Sequence, residues 1–192
     1  DNDDIDVTKG CCIHAKLYKQ KPNTLKEQNA SIVQTNNINL FLYAGDGVGV
    51  VRKKGLKIEP SYPAINPVPL NMIKLITQTI VTKKTKDIHI VIEVDDGVNI
   101  ATKTANSKVG VIGGISILGT RGIVKPISSS AYINSIQAEI DVINANGYEN
   151  IVFTLGNTAL DWAKKQYEAI EIVEIGNFIY DASRCLKNTN IK

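Results

Sequence analysis

The stretch GVIGGISILGTRGIVKP, residues 110–126, decides how the rest of the chain is organised. Its apolar, β-branched residues are interrupted by five glycines: Gly110, Gly113, Gly114, Gly119 and Gly122. Glycine weakens a strand, so this density indicates bulges, tight turns, or the close approach of another backbone or of a ligand. We expect this stretch to form a binding surface and the junction between the two halves of the chain.

Composition and charge narrow the class of protein. The chain has 192 residues, of which 43% are hydrophobic and 21% charged, and no apolar run approaches the length of a membrane span. The net charge of +3 comes from lysines and arginines scattered among acidic residues, and aromatic residues are scarce at 6%, so nucleic-acid binding has little support. We expect a cytoplasmic protein that binds a small molecule, without a nucleic-acid or membrane partner; formation of a homo-oligomer stays open.

The cysteines and the first residue are also informative. The chain has an odd number of cysteines without metal-ligand spacing: Cys11, Cys12 and Cys185. This favours reduced thiols. We therefore expect no bound metal, and no signal peptide is visible. The chain opens at Asp1 rather than at a methionine, so we expect a segment of a longer protein.

The first half mixes strands with helices. Alternating apolar residues predict a half-buried strand at 12–18 and further strands at 38–43 and 88–94, with a polar, variable hairpin or loop at 19–37. Asp46-Gly47 is typical of a hairpin turn. Asn66 followed by Pro67 predicts a helix N-terminus, and the prolines around it also suit a pocket wall. A short helix is expected at 99–104.

The second half alternates helix and strand. A helix capped by Ser128 is expected to end at Asn146-Gly147, and it is followed by strands at 151–154 and 170–175 with helices at 156–166 and 176–186. Short connections between such elements imply parallel strands. The predicted fold is therefore an α+β domain at 1–126 and a partial Rossmann-like α/β domain with a small parallel sheet at 127–192.

The carboxyl ends of the two parallel strands are the expected cofactor site. A glycine turn at Gly156 and Asn157 lets a ligand approach the backbone, and Glu174 can accept hydrogen bonds from ribose hydroxyls. The full GxGxxG fingerprint is absent. A glycine at a helix start and a surface glutamate explain the same residues.

The remaining chemistry is sparse. The acidic opening DNDDIDVTKG contains Asp3, Asp4 and Asp6, and a solvated loop, a cation site and a set of acceptors for a ligand are all compatible with it. His89 has no histidine partner on its own strand, and His14 lies on a different predicted strand, so His89 is expected to be structural or solvent-facing and not catalytic. Without a nucleophile constellation, a hydrolase is disfavoured, and a group-transfer enzyme that positions a reactive cofactor needs none.

Four long segments carry a resemblance to a known family. They are DDIDVTKG (3–10), GDGVGVVRKKGL (45–56), PAINPVPLNMI (63–73) and KTANSKVGVIGGISILGTRGIVKPIS (103–128). In order and spacing they resemble the CbiD family, the cobalt-precorrin-5B C1-methyltransferases of anaerobic cobalamin biosynthesis. The resemblance is weaker beyond residue 130, where TLGN and EIGNF remain.

The resemblance implies methyl transfer from S-adenosylmethionine to ring carbon C1 of a cobalt-containing corrinoid. The acidic cluster motivates the hypothesis that Asp3, Asp4 or Asp6 accepts a proton or holds the cationic donor, and the strand ends place the expected cofactor contacts at Gly156, Asn157 and Glu174. Arg52 and Lys103 join the cations expected near substrate carboxylates. Substrate contacts are expected at Asn66, Gly113, Gly114, Ser116, Thr120, Arg121 and Lys125.

The chain also departs from the family pattern. The family typically has proline where Ile5, Lys54 and Ser107 stand, arginine in place of Leu70 and threonine in place of Arg121. A TTGTCAAAA-like segment at the start of the family, and later GHxGKxxKxAxG and THS segments, are not in this sequence. A non-catalytic corrinoid-binding or nucleotide-binding module is the alternative, and a nucleotide-binding oxidoreductase is a third.

Overall fold

A computed structural model of the chain describes residues 7–119 and 129–191. The chain divides into two compact units: Asp1–Arg52 with Lys57–Val124, called the first unit, and Lys53–Leu56 with Lys125–Lys192, called the second unit. Both units mix helices with small sheets, as the sequence predicts. The predicted domain boundary after residue 126 stays a prediction.

The first unit contains the larger sheet. Its four strands lie in the order β1-β5-β3-β2, with β3 parallel to β5 and the outer pairs antiparallel. The elements of the first unit are β1 (Ile13–Tyr18), β2 (Ser31–Gln34), β3 (Asn39–Ala44), β4 (Val50–Val51), α1 (Pro67–Ile80), β5 (Ile88–Val94), α2 (Gly97–Ala101) and β6 (Val111–Ile112).

One face of this sheet forms the core of the first unit. Leu40, Leu42 and Ala44 alternate on β3 and are buried against Ile92 and Val94 of β5. The alternation that predicts these strands also identifies their buried face, because successive side chains of a strand point to opposite sides.

Helix α1 begins as the sequence predicts. Asn66 is its N-cap residue and Pro67 occupies its first turn, where a missing N–H costs nothing. None of its residues is fully buried, and Leu75, Ile76 and Ile80 are all more than half exposed. The helix therefore has an amphipathic pattern without a fully buried side in this unit.

Two predictions about the first unit are wrong. All six residues of β1 are exposed, whereas the sequence predicts a half-buried strand. The hairpin or loop expected at 19–37 contains β2, which forms an antiparallel hairpin with β3 and buries Ser31 and Val33. Asp46-Gly47 does form a turn, but β3 pairs with β2 and β5 while β4 pairs with β6, so the turn does not close a hairpin.

The second unit is built on a parallel strand pair, as predicted. Strand β7 (Val152–Thr154) pairs with β8 (Ile172–Glu174) in parallel register. The helices are α3 (Ser129–Ala145), α4 (Asn157–Ala163) and α5 (Ile179–Cys185). Ile136, Ile140 and Ile143 of α3 are buried with the β8 residues Ile172 and Val173. In the described ranges no helix is long and apolar enough to cross a membrane.

Candidate functional site

Three glycine-rich or proline-rich segments of the first unit meet backbone to backbone. These segments are residues 45–51, 61–66 and 110–117, and together we call them the glycine layer. Strands β4 and β6 pair within it, and isolated bridges join Val48 to Ile115 and Ile65 to Ile117. Segments far apart in the sequence thus form one continuous hydrogen-bonded structure.

Glycine is required in this layer because backbones touch. Gly114 has φ +155°, and a Cβ added there would lie 2.2 Å from the carbonyl carbon and oxygen of Gly47. A Cβ added at Gly97 would lie 2.2 Å from the same oxygen. The amide of Ile115 donates to that oxygen over 3.0 Å. Of the two explanations that glycine density leaves open, the approach of another backbone accounts for Gly114.

Two predicted substrate residues, Asn66 and Ser116, flank the same bridge in this layer. The amide of Asn66 donates to the Ile117 carbonyl over 2.9 Å, which places the start of α1 against the 110–117 segment. The Ser116 hydroxyl donates to Asn106 Oδ1 over 2.7 Å. Its proton is therefore engaged, while its oxygen can still accept a hydrogen bond.

A concave cavity lies beside the start of α1. Its volume is about 220 Å³, and its lining combines apolar side chains with one lysine and one glutamate. The lining residues are Ser31, Lys57, Ile58, Glu59, Tyr62, Ile65, Pro67 and Leu70. Ile65 and Pro67 flank Asn66, so the proline-rich segment does form part of a pocket wall.

Sequence reasoning missed Lys26. Its Nζ donates to three backbone carbonyls, those of Gly45 and Val48 at 3.1 Å each and of Gly113 at 3.0 Å. Burial lowers the pKa of Lys26 below 10.5 because desolvation penalises the ammonium, and the charge of Asp46 opposes this. Lys26 stands in a polar segment rich in lysine, and nothing in its local sequence distinguishes it from its neighbours.

The second unit brings the predicted cofactor residues together at one edge. Thr154 and Glu174 are paired at the carboxyl ends of β7 and β8, and Gly156 and Asn157 follow Thr154 after one intervening residue, Leu155. Gly156 has an extended backbone, and a Cβ added there meets nothing within 4 Å. The Tyr132 hydroxyl donates to the backbone carbonyl of Glu174 over 3.3 Å.

Thr154 has an unusual hydroxyl. Only 2% of the residue is exposed, and its Oγ1 has no hydrogen-bond partner among the residues that the structure describes. Buried hydroxyls are normally paired, so the unpaired Thr154 hydroxyl at this strand end is an exception. Sequence reasoning missed this residue because the strand pattern predicts only its burial.

The two histidines have partners on the sheet of the first unit. His14 Nε2 lies 3.0 Å from Asp95 Oδ1. His89 Nδ1 lies 3.0 Å from the Tyr43 hydroxyl, and its ring stacks on Phe41 at a centroid distance of 4.9 Å. The His89 contacts fit the structural alternative, whereas His14 lies on the exposed strand β1.

Several predicted site residues cannot be placed. Asp3, Asp4, Asp6, Thr120, Arg121 and Lys125 lie outside the described residues. Within 7–119 and 129–191, no group of three or more His, Cys, Asp or Glu side chains is arranged to hold a metal ion. The three cysteines are free thiols, as expected.

Known proteins resemble this chain over most of its length. A protein of Methanococcus maripaludis strain C5 named cobalt-precorrin-5B C(1)-methyltransferase is 40% identical over 178 residues, which are 92% of this chain and 46% of the relative. A protein of the same name from Thermoanaerobacter sp. strain X514 is also 40% identical, over 92% of this chain and 44% of its own length. The chain thus spans about half the length of the curated relatives it matches.

A solved structure and a family profile complete the comparison. The structure, a cobalamin biosynthesis protein (cbiD) from Archaeoglobus fulgidus, aligns with a TM-score of 0.41 at 23% identity and covers 94% of this chain and 52% of its own. The sequence profile of the CbiD family matches residues 1–126, which contain the whole glycine layer. The chain therefore belongs to the CbiD family.

Proposed function

We propose that this chain is part of an enzyme that transfers a methyl group from S-adenosylmethionine to C1 of cobalt-precorrin-5B in cobalamin biosynthesis. The observation that carries the proposal is the glycine layer, whose segments 45–51, 61–66 and 110–117 overlap three of the stretches that resemble the family. The names of the relatives support the same reaction.

The main task of the protein in this reaction is to orient the methyl donor and the corrinoid. The donor's methyl group leaves the sulfonium sulfur, which keeps the bonding electron pair, and bonds to C1 of the corrinoid. The protein must hold the two molecules in line and exclude competing poses, and proximity of this kind accounts for a large part of many catalysed rates.

The glycine layer and the cavity beside it suit the corrinoid. Asn66 stands between the cavity residues Ile65 and Pro67, and the Ser116 hydroxyl in the glycine layer keeps lone pairs that can accept a hydrogen bond. Arg52 is exposed, and one guanidinium nitrogen donates to the Glu27 carbonyl over 2.9 Å, which leaves further donors for a carboxylate. Lys103, Arg121 and Lys125 are the other proposed carboxylate partners, with Gly113 and Thr120 as further substrate contacts. Gly114 packs against the Gly47 backbone, so its role is structural.

The strand ends of the second unit suit the methyl donor. We assign the Rossmann-like role to the β7–β8 pair, with Gly156, Asn157 and Glu174 in contact with S-adenosylmethionine. The orphan Thr154 hydroxyl and the Glu174 carboxylate are groups that hydrogen-bond to ribose hydroxyls, so the residues present fit a nucleoside. Asp3, Asp4 or Asp6 would serve as proton acceptor or hold the cationic donor.

The test is methyl transfer by the full-length protein. With isotopically labelled S-adenosylmethionine and cobalt-precorrin-5B, we expect label in the corrinoid and S-adenosylhomocysteine as co-product. Ser116→Ala should weaken corrinoid binding, whereas Ser183→Ala, a serine of α5 outside every proposed contact, serves as the matched control. Corrinoid binding without any methyl transfer would instead establish a non-catalytic binding module, and binding of NAD without S-adenosylhomocysteine would establish an oxidoreductase.

A further inference from the structure

Lys26 holds two segments of the glycine layer to a third part of the chain. Its three hydrogen bonds reach Gly45 and Val48 on one segment and Gly113 on another. An ammonium group has three N–H donors and no acceptor. These carbonyls therefore occupy the full hydrogen-bonding capacity of Lys26.

The accepting carbonyls lie where the backbone turns. Gly113 has φ +86°, and Gly47, between Gly45 and Val48, has φ +73°. Carbonyl oxygens that converge on one point repel one another, and a positive charge at that point offsets the repulsion. Lys26 thus stabilises two turns. An uncharged side chain at the same place would not offset the repulsion between their carbonyl oxygens.

The segment that presents Lys26 is itself anchored. Gln28 is buried, and its side-chain amide makes two 2.8 Å hydrogen bonds with the backbone of Ala44, one as donor and one as acceptor. The amide of Asn29 donates to the Ser61 carbonyl over 2.6 Å. The backbone that presents Lys26 is therefore held in place, and its ammonium group constrains the two turns.

From this geometry we propose that Lys26 is a positioning residue, which sets the backbone of Gly113 and the neighbouring Ser116 for the corrinoid and does not itself bind a substrate carboxylate. The inference rests on the proposed function. It separates Lys26 from Arg52 and Lys103, which keep donors for the substrate, because all three donors of Lys26 are engaged inside the protein.

The first experiment measures the glycine layer without a ligand. Lys26→Met keeps an unbranched side chain that is one heavy atom shorter and removes its donors, and the exposed Lys19→Met is the matched control. We expect amide hydrogen exchange at Gly49 and Ile115 to accelerate at least about tenfold in Lys26→Met only, with β3 and β5 unchanged. Unchanged exchange at both amides would overturn the proposal.

The second experiment measures binding of cobyrinic acid, a cobalt corrinoid with free carboxylates, by the full chain. A positioning role predicts weaker binding by about tenfold or more in Lys26→Met, with the same slope of log Kd against log salt as the wild type. A shallower slope in Lys26→Met would show that Lys26 pairs directly with a carboxylate and would overturn the proposal.

The outcomes separate the two proposals. Wild-type protein that fails to bind the corrinoid overturns the proposed function and with it this role for Lys26, whereas wild-type protein that binds while Lys26→Met binds equally well overturns the role of Lys26 alone. If Lys26→Met does not fold, Lys26→Ala is studied with ethylammonium. Recovery of folding and corrinoid binding with ethylammonium but not with tetramethylammonium, which has no donors, is the expected result, and equal effects of both ions would overturn it.

Discussion

The glycine layer of the first unit and the strand ends of the second unit use glycine in opposite ways. At Gly114 an added Cβ would meet the Gly47 backbone at 2.2 Å, whereas at Gly156 it would meet nothing within 4 Å. The polar groups differ as well. In the first unit Tyr43 is buried with its hydroxyl paired to His89, while in the second unit the buried Thr154 hydroxyl has no partner among the described residues.

This difference teaches that glycine density alone does not locate a ligand. The glycine-rich centre of the sequence owes Gly114 to internal packing, and the sparser TLGN segment contains a glycine, Gly156, that has space beside it. A substitution at Gly114 should therefore act mainly on stability, and one at Gly156 should act on ligand affinity.

The largest effect is expected for Gly114→Ala. The new methyl group would overlap the Gly47 carbonyl, so the free energy of unfolding of the first unit should fall by about 3 kcal/mol. Urea unfolding measures this. Gly10→Ala is the matched control, since Gly10 also has positive φ but open space around it, and only about 1 kcal/mol is expected there. Equal losses for the two variants would show that strain in φ, and not backbone contact, explains Gly114.

Gly55 lies in the second unit but has close backbone neighbours. It therefore tests whether the effect of an added Cβ depends on the unit or on the local contact. Gly55 has φ +106°, and an added Cβ would lie 2.6 Å from the Asp141 carbonyl oxygen at the packed side of α3. Gly55→Ala should therefore lower the free energy of unfolding of the second unit by about 2 kcal/mol in the same urea assay. Gly147→Ala, which has positive φ and no neighbour within 4 Å, is its control. If the Gly55 and Gly147 variants lose equal stability, the local contact is not the cause.

Tyr43→Phe measures the paired hydroxyl of the first unit. Loss of the hydrogen bond to His89 should cost about 1 kcal/mol near neutral pH. Burial raises the pKa of Tyr43 above 10.0, so the unfolded chain loses this proton first as the pH rises. The contribution of Tyr43 is therefore fully present below pH 10.0 and is lost as the pH rises through the higher pKa of the folded state.

Urea unfolding from neutral to alkaline pH checks this direction. The difference in stability between wild type and Tyr43→Phe should shrink as the pH rises above 10.0. A difference that grows in that range would contradict a raised pKa for Tyr43.

The smallest effect on stability is expected for Thr154→Val and Gly156→Ala. Each should change the free energy of unfolding by less than about 0.5 kcal/mol, because valine matches the shape of a threonine whose hydroxyl is unpaired and Gly156 has room for a methyl group. Under the proposed function both variants should bind S-adenosylhomocysteine more weakly, as calorimetry would show. Unchanged affinity in both variants would show that this edge does not bind the ligand. The two regions would then differ only in how tightly their glycines are packed.

Local patterns predict the elements that depend on their own sequence. Alternation predicts β3 and β5, and Asn66-Pro67 predicts the start of α1, because strand pairing and helix capping leave a periodic or punctuated mark. The parallel β7–β8 pair follows from the short connections between strand and helix.

Other features depend on partners that are distant in the sequence. The alternation of β1 is real, but which face becomes covered depends on elements that its own residues do not encode. The four residues of β2 are too few to show a period. Gly114 contacts the backbone of Gly47, and Lys26 contacts three backbone carbonyls. Contacts with distant backbone atoms leave no signature in the sequence.

The paired hydrogen bonds between Gln28 and Ala44 have one more consequence. Strand β2 ends its pairing with β3 at Ser31 opposite Leu42, so the backbone of Ala44 would otherwise offer a free N–H and C=O at an open edge. Such edges recruit strands from other molecules and begin aggregation. The Gln28 amide imitates one more residue of β2 and closes that edge with a side chain. Gln28→Leu should therefore increase the tendency of the protein to self-associate through β3.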